Sequence, residues 1–289
     1  MTYQSIFRDH LFQNQVVVVT GGGSGIGRCT AHELAALGAR VALVGRQADK
    51  LQRVAQEITS AGGVSSPHVC DIREEAQVIQ TVEQVLQAHG RIDGLVNNAG
   101  GQFASPLAQI KAKGWDAVVR TNLTGGFLMA RECYTQWMQA QGGAIVNVIA
   151  DMWLGMPGMG HSGAARAGML NVTETAALEW GPVRCNAVAP GWIASSGMDN
   201  YPPEMADMIQ TMHRLVPLQR LGTESEVSAA IVFLLSPAAA FISGACLRVD
   251  GAAPNAKRIW PQVGTGRRNA AFNGFHLAQT PKVLRKEGL

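Results

Sequence analysis

Through residue 250, short runs of consecutive apolar residues alternate with longer stretches in which apolar positions recur every three to four residues. The short runs, rich in Val, Ile and Ala, are too brief for helices and lack a polar face, the pattern of strands covered on both sides. They predict strands over 16–20, 40–44, 66–70, 94–97, 144–149, 184–189 and 245–249. The longer stretches predict helices over 25–37, 49–61, 74–89, 115–141, 162–180 and 224–235. Alternation of strand and helix builds β-α-β units, so the predicted class is α/β, with a doubly wound parallel seven-stranded sheet in a single domain over 1–253. The rhythm breaks at 192–221, where Gly197, Pro202, Pro203 and Pro217 surround a short helical piece. An insertion of that length is expected to be a substrate lid. Over 254–289 no apolar period remains, so this C-terminal extension is expected to form no core of its own and to order only on assembly.

Composition removes whole classes. With 47% hydrophobic and 16% charged residues, a chain of 289 residues can bury a substantial core, which excludes disorder. The longest apolar runs, such as residues 16–19, fall far short of the roughly 18 residues that cross a bilayer, so no membrane partner is expected. Residues 1–15 mix Arg8, Asp9 and His10 with polar positions and contain no apolar targeting stretch, which points to the cytoplasm. The five cysteines, Cys29, Cys70, Cys133, Cys185 and Cys246, are widely spaced without a C-x-x-C pair, so free thiols and no metal site are expected. A net charge of +3 gives no reason to expect nucleic acid. It is unevenly spread: residues 254–289 hold seven Lys or Arg and one acid, leaving the preceding body acidic.

Chemistry enters with the run Thr20-Gly21-Gly22-Gly23-Ser24-Gly25-Ile26-Gly27, directly after the first predicted strand and opening the first predicted helix. Glycines there permit a tight turn and let backbone N–H groups approach a pyrophosphate at the positive helix end, while Gly27 allows close helix-to-sheet packing. In that context the fold is predicted to be Rossmann-type and the ligand a dinucleotide. An acid about 20 residues on would hold the adenosine ribose, but the second strand ends Val44-Gly45-Arg46. Arg46 can instead hold a 2′-phosphate, with Ser24 as a hydroxyl donor, so NADP(H) is the expected cofactor over NAD(H). The competing reading of Arg46 is a solvated charge leading the next helix.

Together with Asn97-Asn98-Ala99-Gly100, Asn122 and Pro190-Gly191, the glycine run makes residues 13–252 resemble the short-chain dehydrogenase/reductase family. The resemblance implies that Asp71 and Ile72 border the adenine, that Asn98, Ala99 and Gly100 lie along the cofactor, and that Pro190, Gly191 and Ile193 meet the nicotinamide. It also implies a homotetramer.

The catalytic pattern departs from that family. Its usual Tyr-x-x-x-Lys falls here on Ser162 and Arg166, its strand-end serine falls near Ile149, and the only tyrosines are Tyr3, Tyr134 and Tyr201. The strings Gly160-His161-Ser162-Gly163-Ala164-Ala165-Arg166-Ala167-Gly168 and Gly100-Gly101-Gln102-Phe103 are similar to those of the trans-2-enoyl-CoA and 2,4-dienoyl-CoA reductases. Those enzymes deliver hydride to carbon, so charge develops on the thioester oxygen and an oxyanion hole matters most. Reduction of a ketone calls for a proton at oxygen as hydride arrives. Loss of tyrosine fits the former, and NADPH-dependent reduction of the C=C bond of a 2-enoyl- or 2,4-dienoyl-CoA is the expected activity, with an acyl-CoA as the small-molecule partner.

On this reading Ser162 donates to the oxyanion, and Arg166 holds the nicotinamide ribose and supplies charge. Asn122 orders a water or supports the helix, and Asp151 lies within reach. The alternatives are a helix N-cap for Ser162, an ion-pair partner for Arg166, a helix-kink residue for Asn122 and a turn former for Asp151; His161 is a candidate acid, with lid or subunit packing the favoured reading. Trp153, Leu154, Met156, Met159, Trp192, Met198, Met205 and Met208 are candidates for an apolar acyl pocket, or ordinary core. Lys257, Arg258, Arg267 and Arg268 are candidates for CoA phosphates or for an arm onto a neighbouring subunit. The sequence leaves two rival functions open: an alcohol or carbonyl dehydrogenase for a medium-chain or acyclic terpenoid alcohol, and a non-catalytic NADP(H)-binding protein.

Overall fold

The computed structural model describes residues 2–253 and 269–285. Its chain order is β1 (Val16–Thr20), α1 (Gly25–Ala36), β2 (Arg40–Gly45), α2 (Ala48–Ser60), β3 (Val64–Val69), α3 (Glu75–His89) and β4 (Gly94–Asn97). There follow α4 (Ala112–Val119), α5 (Gly125–Cys133), α6 (Gln139–Gln141), β5 (Ala144–Val148), α7 (Gly160–Glu179), β6 (Arg184–Pro190), α8 (Ala206–Thr211), α9 (Glu224–Leu235) and β7 (Cys246–Val249). The seven strands form one sheet in the order β3-β2-β1-β4-β5-β6-β7, and every pairing is parallel. This is the doubly wound, Rossmann-type single domain that the alternation predicts.

Within β1 the side-chain alternation of a strand sorts the valines between two cores. Val17 and Val19 pack with Leu34, Leu51, Val227 and Ile231 from α1, α2 and α9 on one face. Val16 and Val18 pack with Val78, Val85, Met129 and Ala176 from α3, α5 and α7 on the other. The chain order reverses between β1 and β4, so the ends of these two strands open a crevice at the switch point, where ligands of such sheets bind.

Three elements depart from the sequence reading. The third strand is 64–69 rather than 66–70; it lies at the sheet edge, where its polar residues and Pro67 are tolerated and no apolar run marks it. The helix expected at 115–141 starts at Ala112 and widens into π-helical turns at Arg120–Thr124 and Tyr134–Met138. Helix α7 starts at Gly160, two residues early, after the N-cap Met159.

The 192–221 segment carries Met198, Ile209 and Met212 as a small core of its own, joined by Trp192, Tyr201, Met205 and Leu221. Val283 and Leu284 of the C-terminal extension complete it. Val283 N–H donates to Asp199 Oδ1 (3.1 Å) and Gln210 Nε2 donates to the Val283 carbonyl (3.0 Å). Further back, Thr223 donates to the Phe272 carbonyl, and Phe275 is buried beside Tyr3 and Cys29. Residues 269–285 thus find these partners within the same chain. A lack of periodicity showed that it builds no core, but could not show that it completes one. Lys257, Arg258, Arg267 and Arg268 lie outside the described residues.

Candidate active site

The glycine run turns tightly at the mouth of the crevice. Gly21 and Gly25 have φ of +67° and +56°, a region that side chains disfavour. A Cβ on Gly27 would collide with the Gly21 carbonyl and with Asn98 Nδ2. Ser24 is the exposed N-cap of α1 and its side chain makes no capping hydrogen bond, so its hydroxyl is available. On the β4 side, Thr20 Oγ1 accepts the N–H of Asn98 and of Ala99, both at 3.0 Å, and Asn98 Nδ2 donates to the Thr20 carbonyl. These bonds lock the two strand ends together. The result is a glycine cradle under the N-terminus of α1, which fits a pyrophosphate.

At the adenine end, Gly45 leaves room beside Leu51 and Arg46 is exposed. Asp71 is gripped by Arg73 Nε (2.9 and 3.1 Å), and this bonding holds its carboxyl below the usual range. Ile72 is buried against Gly125. The sequence reading missed Lys50, whose Cβ lies 3.1 Å from the place a Cβ on Gly23 would take. Its side chain leaves the backbone beside the loop, and its spacing of four from Arg46 was the signal. It also missed Glu224, whose Oε1 would be 3.9 Å from a Cβ on Gly25. Burial pushes that carboxyl up to about 7, partly offset by Arg28 and by the Ser196 N–H that it accepts.

At the other end of the crevice, Gly191 N–H donates to the Val249 carbonyl (3.0 Å), and Ile193 is buried and bridges to Gly222. A side chain on Gly191 would press on Asp250, and one on Gly100 would collide with the Arg166 guanidinium. Arg166 itself donates to the Val148 carbonyl (2.7 Å). Burial alone pushes its pKa down to about 10, its Nε has no partner, and among the described residues no carboxylate pairs with it. Among the described residues it therefore makes no ion pair. A half-buried cation without a counter-charge is stabilised by an arriving negative charge.

Ser162 is fully buried as the third residue of α7, so it is not the N-cap. Its Oγ donates to Gln102 Oε1 (2.7 Å), and Asn122 Nδ2 approaches it at 3.5 Å. Asn122 sits in the first π-helical turn, its side chain exchanging 2.9 Å hydrogen bonds with the Gly101 N–H and carbonyl. The kink and the site are one feature here: the wider turn aims the side chain at the Gly100 loop. His161 Nδ1 accepts the Ser162 N–H (2.9 Å), and the ring lies edge-on to Phe103.

Asp151 is not brought to Ser162 by any hydrogen bond. Its neighbours are Asp250 and Arg248, and burial with the Asp250 charge raises its pKa against the pull of Arg248. Of the tyrosines, Tyr3 is buried against Glu33 and Tyr134 stacks on Trp180, whereas Tyr201 Oη accepts from Gln102 Nε2 at 2.9 Å. An apolar pocket of about 370 Å³ opens along α7, lined by Leu107, Met152, Met156, Pro157 and Ala164 with intervening glycines. Of the eight expected pocket residues only Met156 lines it: Leu154 is exposed, Trp153 lies under Arg248, and Trp192, Met198 and Met205 pack in the 192–221 segment. Among the described residues no group of three or more His, Cys, Asp or Glu is placed to hold a metal, and no helix is long and apolar enough to cross a membrane.

Comparison with known proteins agrees with this geometry. The family model described as enoyl-(acyl carrier protein) reductase matches residues 21–252. A probable 2,4-dienoyl-CoA reductase of Bacillus subtilis is 37% identical over 83% of this chain and 96% of its own length. A peroxisomal 2,4-dienoyl-CoA reductase of Danio rerio is 34% identical over 87% of this chain and 85% of its own. A solved structure described as a citronellol catabolism dehydrogenase of Pseudomonas aeruginosa is 60% identical, covers 87% of this chain and 100% of that one, and superposes with a TM-score of 0.79. With the glycine cradle, the Asn98 lock and the seven-stranded order in place, the chain belongs to the short-chain dehydrogenase/reductase family, oxidoreductases that use a nicotinamide cofactor.

Proposed function

We propose that this protein is a cytoplasmic, tetrameric, NADPH-dependent reductase of the C=C bond of a 2-enoyl- or 2,4-dienoyl-CoA. The observation that carries this reading is the pairing on α7 of a buried hydroxyl, Ser162, with a half-buried, desolvated cation, Arg166, that has no counter-charge among the described residues. When bound, the nicotinamide supplies hydride to the carbon β to the thioester, or to the end of the diene. Ser162 donates a hydrogen bond to the thioester oxygen as it turns into an enolate oxygen. Arg166 adds positive charge from beneath and holds the nicotinamide ribose; it cannot shuttle a proton. Asn122 fixes the loop at Gly101 and so holds Gly100 close against the guanidinium, where no side chain would fit. Arg46, Lys50 and Ser24 favour the 2′-phosphate, and Gly21, Gly25, Ile26 and Gly27 carry the pyrophosphate. Asp71, Ile72, Asn98, Ala99, Pro190, Gly191 and Ile193 line the remainder of the cofactor site. Asp151, whose carboxyl is pushed up by burial and by the Asp250 charge, is the candidate acid for the substrate carbon.

The test compares NADPH oxidation with a 2-enoyl-CoA, a 2,4-dienoyl-CoA and a ketone of matched length, and NADP⁺ reduction with the corresponding alcohol. Turnover of the thioesters alone is expected. One observation favours a second reading, a dehydrogenase for an acyclic terpenoid alcohol: the 60% identical structure is described as a citronellol catabolism dehydrogenase. Turnover confined to ketone and alcohol would establish that reading, and turnover of nothing would leave a cofactor-binding protein.

A further inference from the structure

Three elements far apart in sequence meet at one carboxamide. Gln102, on the loop after β4, accepts from Ser162 Oγ of α7 at 2.7 Å through its Oε1, and donates to Tyr201 Oη of the lid at 2.9 Å through its Nε2. A serine hydroxyl carries one proton. That of Ser162 is engaged by Gln102, while the Ser162 backbone N–H is engaged by His161. A substrate oxygen can take the Ser162 proton only by displacing Gln102 Oε1. When Gln102 turns away, its bond to Tyr201 is lost or redirected, and Tyr201 packs in the same cluster as Trp192, Met198 and Ile209.

We propose that Gln102, held by Tyr201, is a displaceable stand-in for the substrate's carbonyl oxygen at Ser162, so that arrival of a carbonyl releases the lid. The ligand class is one whose reacting end carries a hydrogen-bond-accepting oxygen; an isolated alkene cannot exchange for the carboxamide. Gln102 and Tyr201 are therefore positioning residues that set the binding cost of the substrate and leave the chemical step alone. The inference rests on Ser162 being the oxyanion donor.

The variants are Gln102→Leu, Tyr201→Phe and the two combined, assayed with NADPH against trans-2-octenoyl-CoA and against 2-octanone. Gln102 is exposed, so the leucine variant is compatible with folding. With whichever substrate turns over, Gln102→Leu lowers KM about fivefold, the size of one neutral hydrogen bond, and leaves kcat within about twofold. Tyr201→Phe shifts KM the same way by less, and the double variant matches Gln102→Leu instead of adding to it. In the free enzyme, hydrogen exchange over residues 196–215 quickens in both single variants. A raised KM or a collapsed kcat in Gln102→Leu makes Gln102 a substrate contact and overturns the proposal, as does unchanged exchange of the lid. Ser162→Ala separates the two readings: if it leaves kcat intact, the oxyanion role of Ser162 has failed, whereas slowed turnover together with a raised KM in Gln102→Leu overturns the stand-in alone.

Discussion

Glu224 offers the prediction that the structure sizes best. It is the first residue of α9, where the helix dipole favours a negative charge, yet burial dominates and lifts its carboxyl from 4.5 to about 7. A group with a raised folded-state pKa contributes stability that is fully present below the unfolded value and lost as pH rises through the folded one. The window is therefore from 4.5 to about 7. Across it the linkage reaches about 3 kcal/mol, a ceiling because Glu224 is half-buried and solvent screens part of its charge. Glu224→Gln keeps the shape and removes the titration. Urea unfolding of both proteins at pH 5 and pH 8, at one protein concentration, isolates the residue because every other titration is shared. Wild type should lose about 2 kcal/mol more than the variant between the two pH values. Because Glu224 faces the pyrophosphate cradle at Gly25, NADPH affinity should also weaken in wild type as pH rises through 7 and stay flatter in the variant. Parallel stability losses in the two proteins would falsify the argument that burial controls this carboxyl.

Ser162→Ala should slow thioester reduction by about 10²–10³ with NADPH binding retained, the usual cost of one lost oxyanion donor; Arg166→Met should weaken both, read by fluorescence titration and turnover. Arg46→Ala and Lys50→Ala should each weaken NADPH but not NADH, and equal losses for the two cofactors would remove the 2′-phosphate from their role. Deleting residues 281–289 strips Val283 and Leu284 from the cluster of the 192–221 segment, so limited proteolysis within 196–215 should quicken while oligomeric mass in solution holds.

The sheet, its helices and the cofactor crevice were legible in the sequence because each depends on local signals. Consecutive valines mark a strand buried on both faces, and Gly21, Gly25 and Gly27 answer to backbone sterics at their own positions. The substitution of Ser162 and Arg166 for tyrosine and lysine was legible too, since α7 fixes their spacing. What the sequence could not carry was whatever depends on approach across long separations. The desolvation of Arg166 without a counter-charge exists only once Gly100 and Val148 pack against it. The pKa of Glu224 depends on α9 abutting the glycine run, and Tyr201 is tied to Ser162 only where Gln102 spans the gap between them. The polar strand at 64–69 and the docking of Phe275, Val283 and Leu284 lacked any period of their own. Local pattern determined the scaffold and the place of the site; the electrostatics within it, and the partners of its lid and tail, were decided by side chains that meet only in the folded chain.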